Sequence, residues 1–423
     1  MNPDNFSVPN KMFSGDSLKG KGGLRIQVVG VGGAGSNVVD CLNLEIKELE
    51  NLHFSIVNTD MVALENSPIN NKTLIGRNVT RGLGTGGEVE FGIKAADEDR
   101  ETLRNMLSRP DIVFIISGFG GGTGTGVAPI LAEVASSMNA LVVSFVTLPF
   151  TFEGGRKKKL ADQGLVHLRK ASDAVIPLPN DILLQGDDGD SSVLRAFSQA
   201  KDWVRTGIDA ILSLISNTAG LCNIDYSTLR NAFVERGGKT LFGVGRGSGE
   251  NASSKALENL MLCPLLRTPE NSLKADNLIV NITGGPNLCM NEVNTIMTFL
   301  REKLGGGENT VFGAVIDEKQ TDTIEIFILG TTNLNKSKPI PSSRLSSSQE
   351  DGLFSDEPNR GRKKARDKKR DQEGSLRAQG EFGFLEDMQE DLGYFDKTDK
   401  NLFNGENLDI PTYLRRGIKI LLK

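Results

Sequence analysis

Short apolar runs alternate with amphipathic stretches along the chain from Arg25 to Ile215. The runs at Arg25–Val29, His53–Val57, Asp111–Ser117, Ala140–Leu148 and Ala174–Leu178 are rich in β-branched residues and read as buried parallel strands. Between them, helical spacing predicts helices from Val38 to about Leu49, Glu88 to Ala96, Asp97 to Leu107 and Val127 to Met138. This alternation predicts an α/β domain built on a Rossmann-like parallel sheet. A longer stripe, Val193, Phe197, Val204, Ile208, Ile211, Leu212 and Ile215, predicts a central core helix. Beyond Leu229 the order changes. Helices near Ser227–Glu235, Ala252–Leu262 and Asn291–Leu304, with strands at Asn277–Thr283, Val311–Ile316 and Thr323–Leu329, predict a second, smaller α+β domain.

The ends carry a different pattern. Met1 to Gly23 is polar and glycine-rich, and reads as a mobile arm without a signal-peptide core. From Asn333 to Asn404, Ser, Pro and charged residues dominate, with a basic block at Arg360–Arg370 and an acidic, aromatic part at Glu381–Phe395. Such a stretch has too little apolar surface to offset ordering entropy, so a disordered linker is expected. The expected organisation is an arm over 1–23, an α/β domain including the central helix over 24–218, a second domain over 219–332, a linker over 333–404 and a tail peptide over 405–423.

Composition narrows the function classes. The 423 residues carry a net charge of −5, which gives no general argument for nucleic acid or membrane partners. Four scattered cysteines and two histidines show no ligand spacing, so no metal centre is expected and the cysteines read as reduced residues of a cytoplasmic protein. No apolar run approaches the ~18 residues that span a bilayer.

The chemistry is concentrated in glycine-rich turns. Gly118-Phe119-Gly120-Gly121-Gly122-Thr123-Gly124-Thr125-Gly126 lies between a strand and a helix. Free N–H groups, close backbone approach, a helix dipole and two hydroxyls make that an anion site. Gly30, Gly32 and Gly35 fit the G-x-G-x-x-G dinucleotide pattern after the first strand, and Asp60 ends the second strand where a ribose-binding acid would stand. A nicotinamide dehydrogenase fits that segment alone but leaves the Gly118–Gly126 loop without a role. A third glycine loop runs from Arg81 to Gly87, and Asp97, Glu98 and Asp99 open the helix after it, where capping would suffice to explain them. Neither a Walker A loop nor the guanine-reading N-K-x-D occurs.

The Gly118–Gly126 run resembles the tubulin signature loop as it occurs in FtsZ, the family of bacterial tubulin-like cell-division GTPases. The likeness extends in family order from Arg25 to Thr332. Far downstream, Leu408-Asp409-Ile410-Pro411-Thr412-Tyr413-Leu414-Arg415-Arg416 resembles the family's tail peptide. The resemblance implies GTP or GDP held by Gly33, Ala34, Gly35, Ser36 and Asn37, and by Gly120, Gly121, Gly122, Thr123, Gly124 and Thr125. It places Glu153 on the ribose and Lys157 near the phosphates, at a position where the family usually has arginine. It stacks Phe197 on guanine and sets Asp202 against the base's N1–H and N2–H₂ edge, with Asn37 on the other side.

It also implies a catalytic loop. The family pattern N-x-D-x-x-D is met by Asn223 and Asp225, but Thr228 stands at the second acid. In the family this loop completes the active site of the next subunit. The implied function is a head-to-tail filament of the midcell division ring that hydrolyses GTP with Mg²⁺. Its tail residues Asp409, Ile410, Pro411, Tyr413, Leu414 and Arg415 would bind a membrane tether such as FtsA. Nucleic acid is not an expected partner. Thr228 motivates a second possibility, a GTP-binding filament scaffold with weak or no hydrolysis, because losing a general base typically costs ~10²–10⁴ in rate.

Overall fold

A computed structural model describes residues 23–45, 51–183, 193–216, 224–233, 236–266, 274–306, 309–317 and 322–332, and two short strands beyond them. The first sheet contains β1 (Ile26–Val31), β2 (Leu52–Asn58), β3 (Asn71–Leu74), β4 (Ile112–Gly118), β5 (Leu141–Leu148) and β6 (Ala174–Pro179). All its pairings are parallel, in the order β3-β2-β1-β4-β5-β6. The order reverses between β1 and β4, and the crevice beyond the strand ends at such a switch point is where doubly wound sheets bind ligands.

Side-chain alternation covers both faces of this sheet. Ile112, Phe114 and Ile116 join one buried cluster, together with Val39 and Leu42 of α1 (Gly32–Glu45). Val113 and Ile115 join the other, against α4 (Val89–Glu98), α5 (Arg100–Leu107), α6 (Gly122–Ser137) and α7 (Gly155–Ala171). Three shorter helices are α2 (Met61–Glu65), α3 (Arg77–Thr80) and α8 (Asn180–Leu183).

The predicted core helix is α9 (Val193–Ser216), which at 1.5 Å per residue is about 36 Å long. It leads from the β6 end of the sheet toward α10 (Tyr226–Ala232). A second, mixed sheet follows, made of β7 (Lys239–Ser248), β8 (Asn277–Gly284), β9 (Thr310–Ile316) and β10 (Thr323–Thr332), with α11 (Ala252–Leu262) and α12 (Met290–Leu304). Its order is β7-β10-β8-β9. The two sheets share one core with α9. Phe242 of β7 packs edge-on to Phe145 of β5 at 6.3 Å and to Trp203 of α9 at 6.5 Å.

Residues Arg344–Lys423 form a separate unit, described only at β11 (Leu402–Phe403) and β12 (Glu406–Asn407), an antiparallel pair. The arm, most of the expected linker and the tail peptide Asp409–Arg415 lie outside the described residues.

Candidate functional site

The two predicted glycine turns meet at the switch point. A methyl group built on Gly32 would stand 3.1 Å from the Gly124 nitrogen, and one on Gly118 would stand 2.5 Å from Ala34 Cβ. One on Gly35 would overlap the Ile116 carbonyl oxygen. Side chains at these positions would force the β1–α1 and β4–α6 turns apart. On the open side, built methyl groups at Gly33 and Gly121 meet nothing within 4 Å. Two helix N-termini, those of α1 and α6, therefore present unpaired amides beside one cradle, an arrangement suited to phosphates.

Hydroxyls complete the cradle. Thr123 shares hydrogen bonds with Thr59 at 2.8 Å and Thr85 at 3.3 Å. Thr59 follows β2 and Thr85 belongs to the third glycine loop, so the trio unites three segments. No spacing in the sequence pairs Thr59 and Thr85 with Thr123. The signal available was their position next to strand ends and glycines. The Ser36 hydroxyl is buried without a hydrogen-bond partner among the described residues, which leaves it free for a ligand. Asn37 is exposed. Gly120 and Thr125 serve each other: the Gly120 N–H donates to Thr125 Oγ1 at 2.9 Å.

Glu153 and Lys157 lie together beside the signature loop. Lys157 Nζ is 2.9 Å from Glu153 Oε2, and Glu153 Oε1 accepts the Phe150 N–H at 2.9 Å. Gly120, at φ +97°, would bring a methyl group within 3.2 Å of Lys157 Cβ, so the lysine stem rests on the loop. Arg156 is occupied elsewhere, by Glu88 Oε1 at 2.6 Å.

Asp60 has a different employment from the ribose contact. Its carboxylate caps α2, accepting from the Val62 and Ala63 N–H groups at 2.9 and 3.2 Å. Asp99 similarly accepts from Gly76 N–H at 2.6 Å and from the Thr102 hydroxyl, while Asp97 pairs with Arg100. Asp202 is half-buried in the first half of α9, 3.5 Å from Lys201 Nζ. The backbone of Phe197 is helical and its side chain lies outside the described residues, as does Asn223.

Asp225 is not at the cradle. It caps α10, accepting the Thr228 N–H at 2.6 Å. The Thr228 hydroxyl and backbone bonds hold its carboxyl below the ordinary value of 3.8. The next residue, Tyr226, donates its hydroxyl to the Asp111 carbonyl at 2.8 Å. Asp111 precedes β4 whereas the signature loop follows it, and a strand of this length spans about 20 Å. Within one chain, the acid and the cradle sit beyond opposite ends of the strands.

Comparison with known proteins agrees with this architecture. The family described as "Tubulin/FtsZ family, GTPase domain" matches residues 25–187, and "FtsZ family, C-terminal domain" matches residues 238–333. The cell division protein FtsZ of Buchnera aphidicola from Schizaphis graminum is 38% identical over 306 residues, 72% of this chain and 78% of that relative. The one from Acyrthosiphon pisum gives the same figures. Among solved structures, a point mutant of FtsZ from M. jannaschii is 31% identical with a TM-score of 0.64, covering 74% of this chain and 92% of that one. An empty FtsZ dimer from M. jannaschii is 30% identical at the same TM-score, covering 74% and 89%. CetZ2 from Haloferax volcanii, at 20% identity and a TM-score of 0.61 over 73% and 93%, shares the fold. With a GTPase domain at the cradle and both sheets matched in order, the chain belongs to the FtsZ family of tubulin-like cell-division GTPases.

Proposed function

We propose that this GTPase assembles head to tail into filaments and that each hydrolytic site is completed by the next subunit. The observation that carries the reading is the separation of Asp225 from the glycine cradle. An acid beyond one end of the strands and a phosphate site beyond the other cannot meet within a chain, yet they meet in a head-to-tail stack. Such a heterologous contact, if it does not close into a ring, propagates into an open filament.

Gly33 to Ser36 and Gly120 to Thr125 bind the phosphates of GTP or GDP, with Lys157 supplying a charge and Glu153 the ribose contact. Phe197, Asp202 and Asn37 read the guanine. Asn223 and Asp225 of the neighbouring subunit position and polarise the attacking water, the part of phosphoryl transfer that depends on placement and electrostatics. Mg²⁺ would accompany the phosphates and offset their charge. Among the described residues no group of three or more His, Cys, Asp or Glu could hold it alone. The filament belongs to the cytoplasmic division ring at midcell, tethered through Asp409–Arg415 to a membrane-bound partner such as FtsA.

Mixing two variants tests the completed site. Gly33→Asp places a carboxylate where a side chain has room, and so repels phosphate without disturbing the turn. Asp225→Asn removes the acid but keeps a capping group. Each alone is expected to be nearly inactive. Mixed equally, random stacking gives roughly a quarter of interfaces an intact site facing an intact acid, and turnover returns. A mixture as inactive as its parts would overturn the shared site.

A further inference from the structure

A cleft of about 780 Å³ opens at the edge of the first sheet where its strands begin. Arg25, Arg104, Arg109 and Arg230 line it, with Asp111 as the single lining carboxylate. The four cations come from separate places: the residue before β1, the body of α5, the turn after α5, and α10. Most are only partly satisfied. Asp111 Oδ2 accepts the Arg25 backbone N–H at 2.8 Å and lies 3.6 Å from Arg25 Nε. Arg104 reaches Ser137 Oγ at 3.2 Å and lies 3.7 Å from the exposed Glu101, while Arg230 donates to Asn139. Among the described residues, Arg109 has no hydrogen-bond or ion-pair partner. Like charges gathered around one cavity repel one another unless an anion enters.

The backbone of the cleft is unusual too. Ser108, Arg109 and Asn139, at φ 48°, 57° and 68°, line it and are three of the five non-glycine residues with left-handed backbone among the described residues. Ser108 and Asn139 stand at the ends of α5 and α6, where a left-handed residue commonly stops a helix, which leaves Arg109 as the strained position of the lining. The fourfold guanidinium lining suits an anion with several oxygen-bearing groups, since one carboxylate satisfies one fork. The volume falls within the range of small-molecule sites, roughly 300–1,000 Å³.

We propose that this cleft is a second anion site, binding a small polyphosphate-bearing molecule through Arg25, Arg104, Arg109 and Arg230. It is distinct from the glycine cradle, which lies beyond the other end of β4. Tyr226 and Arg230 of α10 line it, so it opens on the same end of the sheet as Asp225.

Calorimetry on the full chain, loaded with one equivalent of GDP, tests the site with pyrophosphate, ADP, citrate and sulfate at matched ionic strength. Pyrophosphate is expected to bind at one per chain. Arg109→Gly, which suits the left-handed backbone and removes the guanidinium, is expected to weaken it at least ~10-fold, and adding Arg104→Gln to weaken it further. GDP affinity and melting temperature should stay unchanged in both. ADP tighter than pyrophosphate marks a nucleotide as the ligand, whereas equal affinities mark the phosphate chain itself. Absence of saturable binding, citrate or sulfate binding as tightly as pyrophosphate, or binding indifferent to both substitutions would each overturn the proposal.

Discussion

The Thr228 backbone N–H donates to Asp225 Oδ1 at 2.6 Å, so the residue standing where the family has its second acid also holds the first in place. Asp225 caps α10 and Thr228 is its third residue, a spacing at which an acidic side chain also complements the helix dipole. Thr228→Asp is therefore expected to keep the cap and raise GTP turnover per subunit, because a second carboxylate joins the loop. Turnover unchanged by Thr228→Asp would mean that Thr228 does not limit catalysis.

Removing the first acid should act on rate alone. Asparagine caps a helix about as well as aspartate, so Asp225→Asn should leave stability nearly unaltered. GTP affinity should be retained, and turnover should fall by ~10²–10⁴. Titration has a defined sign here. The folded carboxyl is held below its ordinary value by Thr228, so its capping contribution is present above pH 3.8 and is lost as pH falls through the lower folded value. Thermal melts of wild type and Asp225→Asn should differ little at neutral pH and converge in strong acid.

Lys157 tests the cradle itself. Its pair with the half-buried Glu153 is a single ion pair at the surface, worth at most about 1 kcal/mol to stability. Lys157→Ala should hardly change a denaturation midpoint. If Lys157 serves the phosphates, the same substitution should weaken GTP about tenfold, or ~1.4 kcal/mol. Equal affinity in a fluorescent-nucleotide titration would remove Lys157 from the site.

Two strands, β3 and β7, have no counterpart among the predicted elements, and β7 shows why some of the fold was hidden. Lys239–Ser248 places Gly243, Gly245 and Gly247 on alternate positions, so beyond Leu241 one face carries no side chains and the expected alternation of apolar residues is blank. That face is bare because α11 lies on it. A methyl group on Gly245 would overlap the Ala256 carbonyl and stand 2.5 Å from Leu260 Cβ. Gly245→Ala should therefore destabilise the second sheet by ~1–3 kcal/mol, read as a lower urea midpoint.

Long apolar runs such as Ile112–Gly118, and helices such as Ala252–Leu262, were legible because burial dictates their pattern directly. The glycine turns were legible as an anion site because their composition exceeds what a turn requires. The start of α6 was not: Gly122–Gly126 is helical despite its composition, since Gly122, Gly124 and Gly126 let it lie against Glu88, Gly118 and Val89. Nor was the Thr59–Thr123–Thr85 trio, which exists only once three distant segments meet. The same holds for Asp60, whose place after a strand suits a ribose acid and a helix cap equally until the next turn of backbone is seen.

Glu325 offers the last test, and it lies far from any nucleotide. It pairs across β10 and β7 with Arg246, whose Nη2 and Nε stand 2.8 and 3.0 Å from Glu325 Oε2. Burial pushes the carboxyl above its ordinary value of 4.5, and Arg246 pulls it back only in part. An acid with a raised folded value contributes stability that is fully present below pH 4.5 and is lost as pH rises through the folded value. Glu325→Gln removes that proton linkage while leaving an amide oxygen for Arg246. The stability of wild type relative to Glu325→Gln should decline as pH rises through this window, measured by urea unfolding at several pH values. A constant difference across that range would mean that Arg246 compensates fully for the desolvation of the carboxylate.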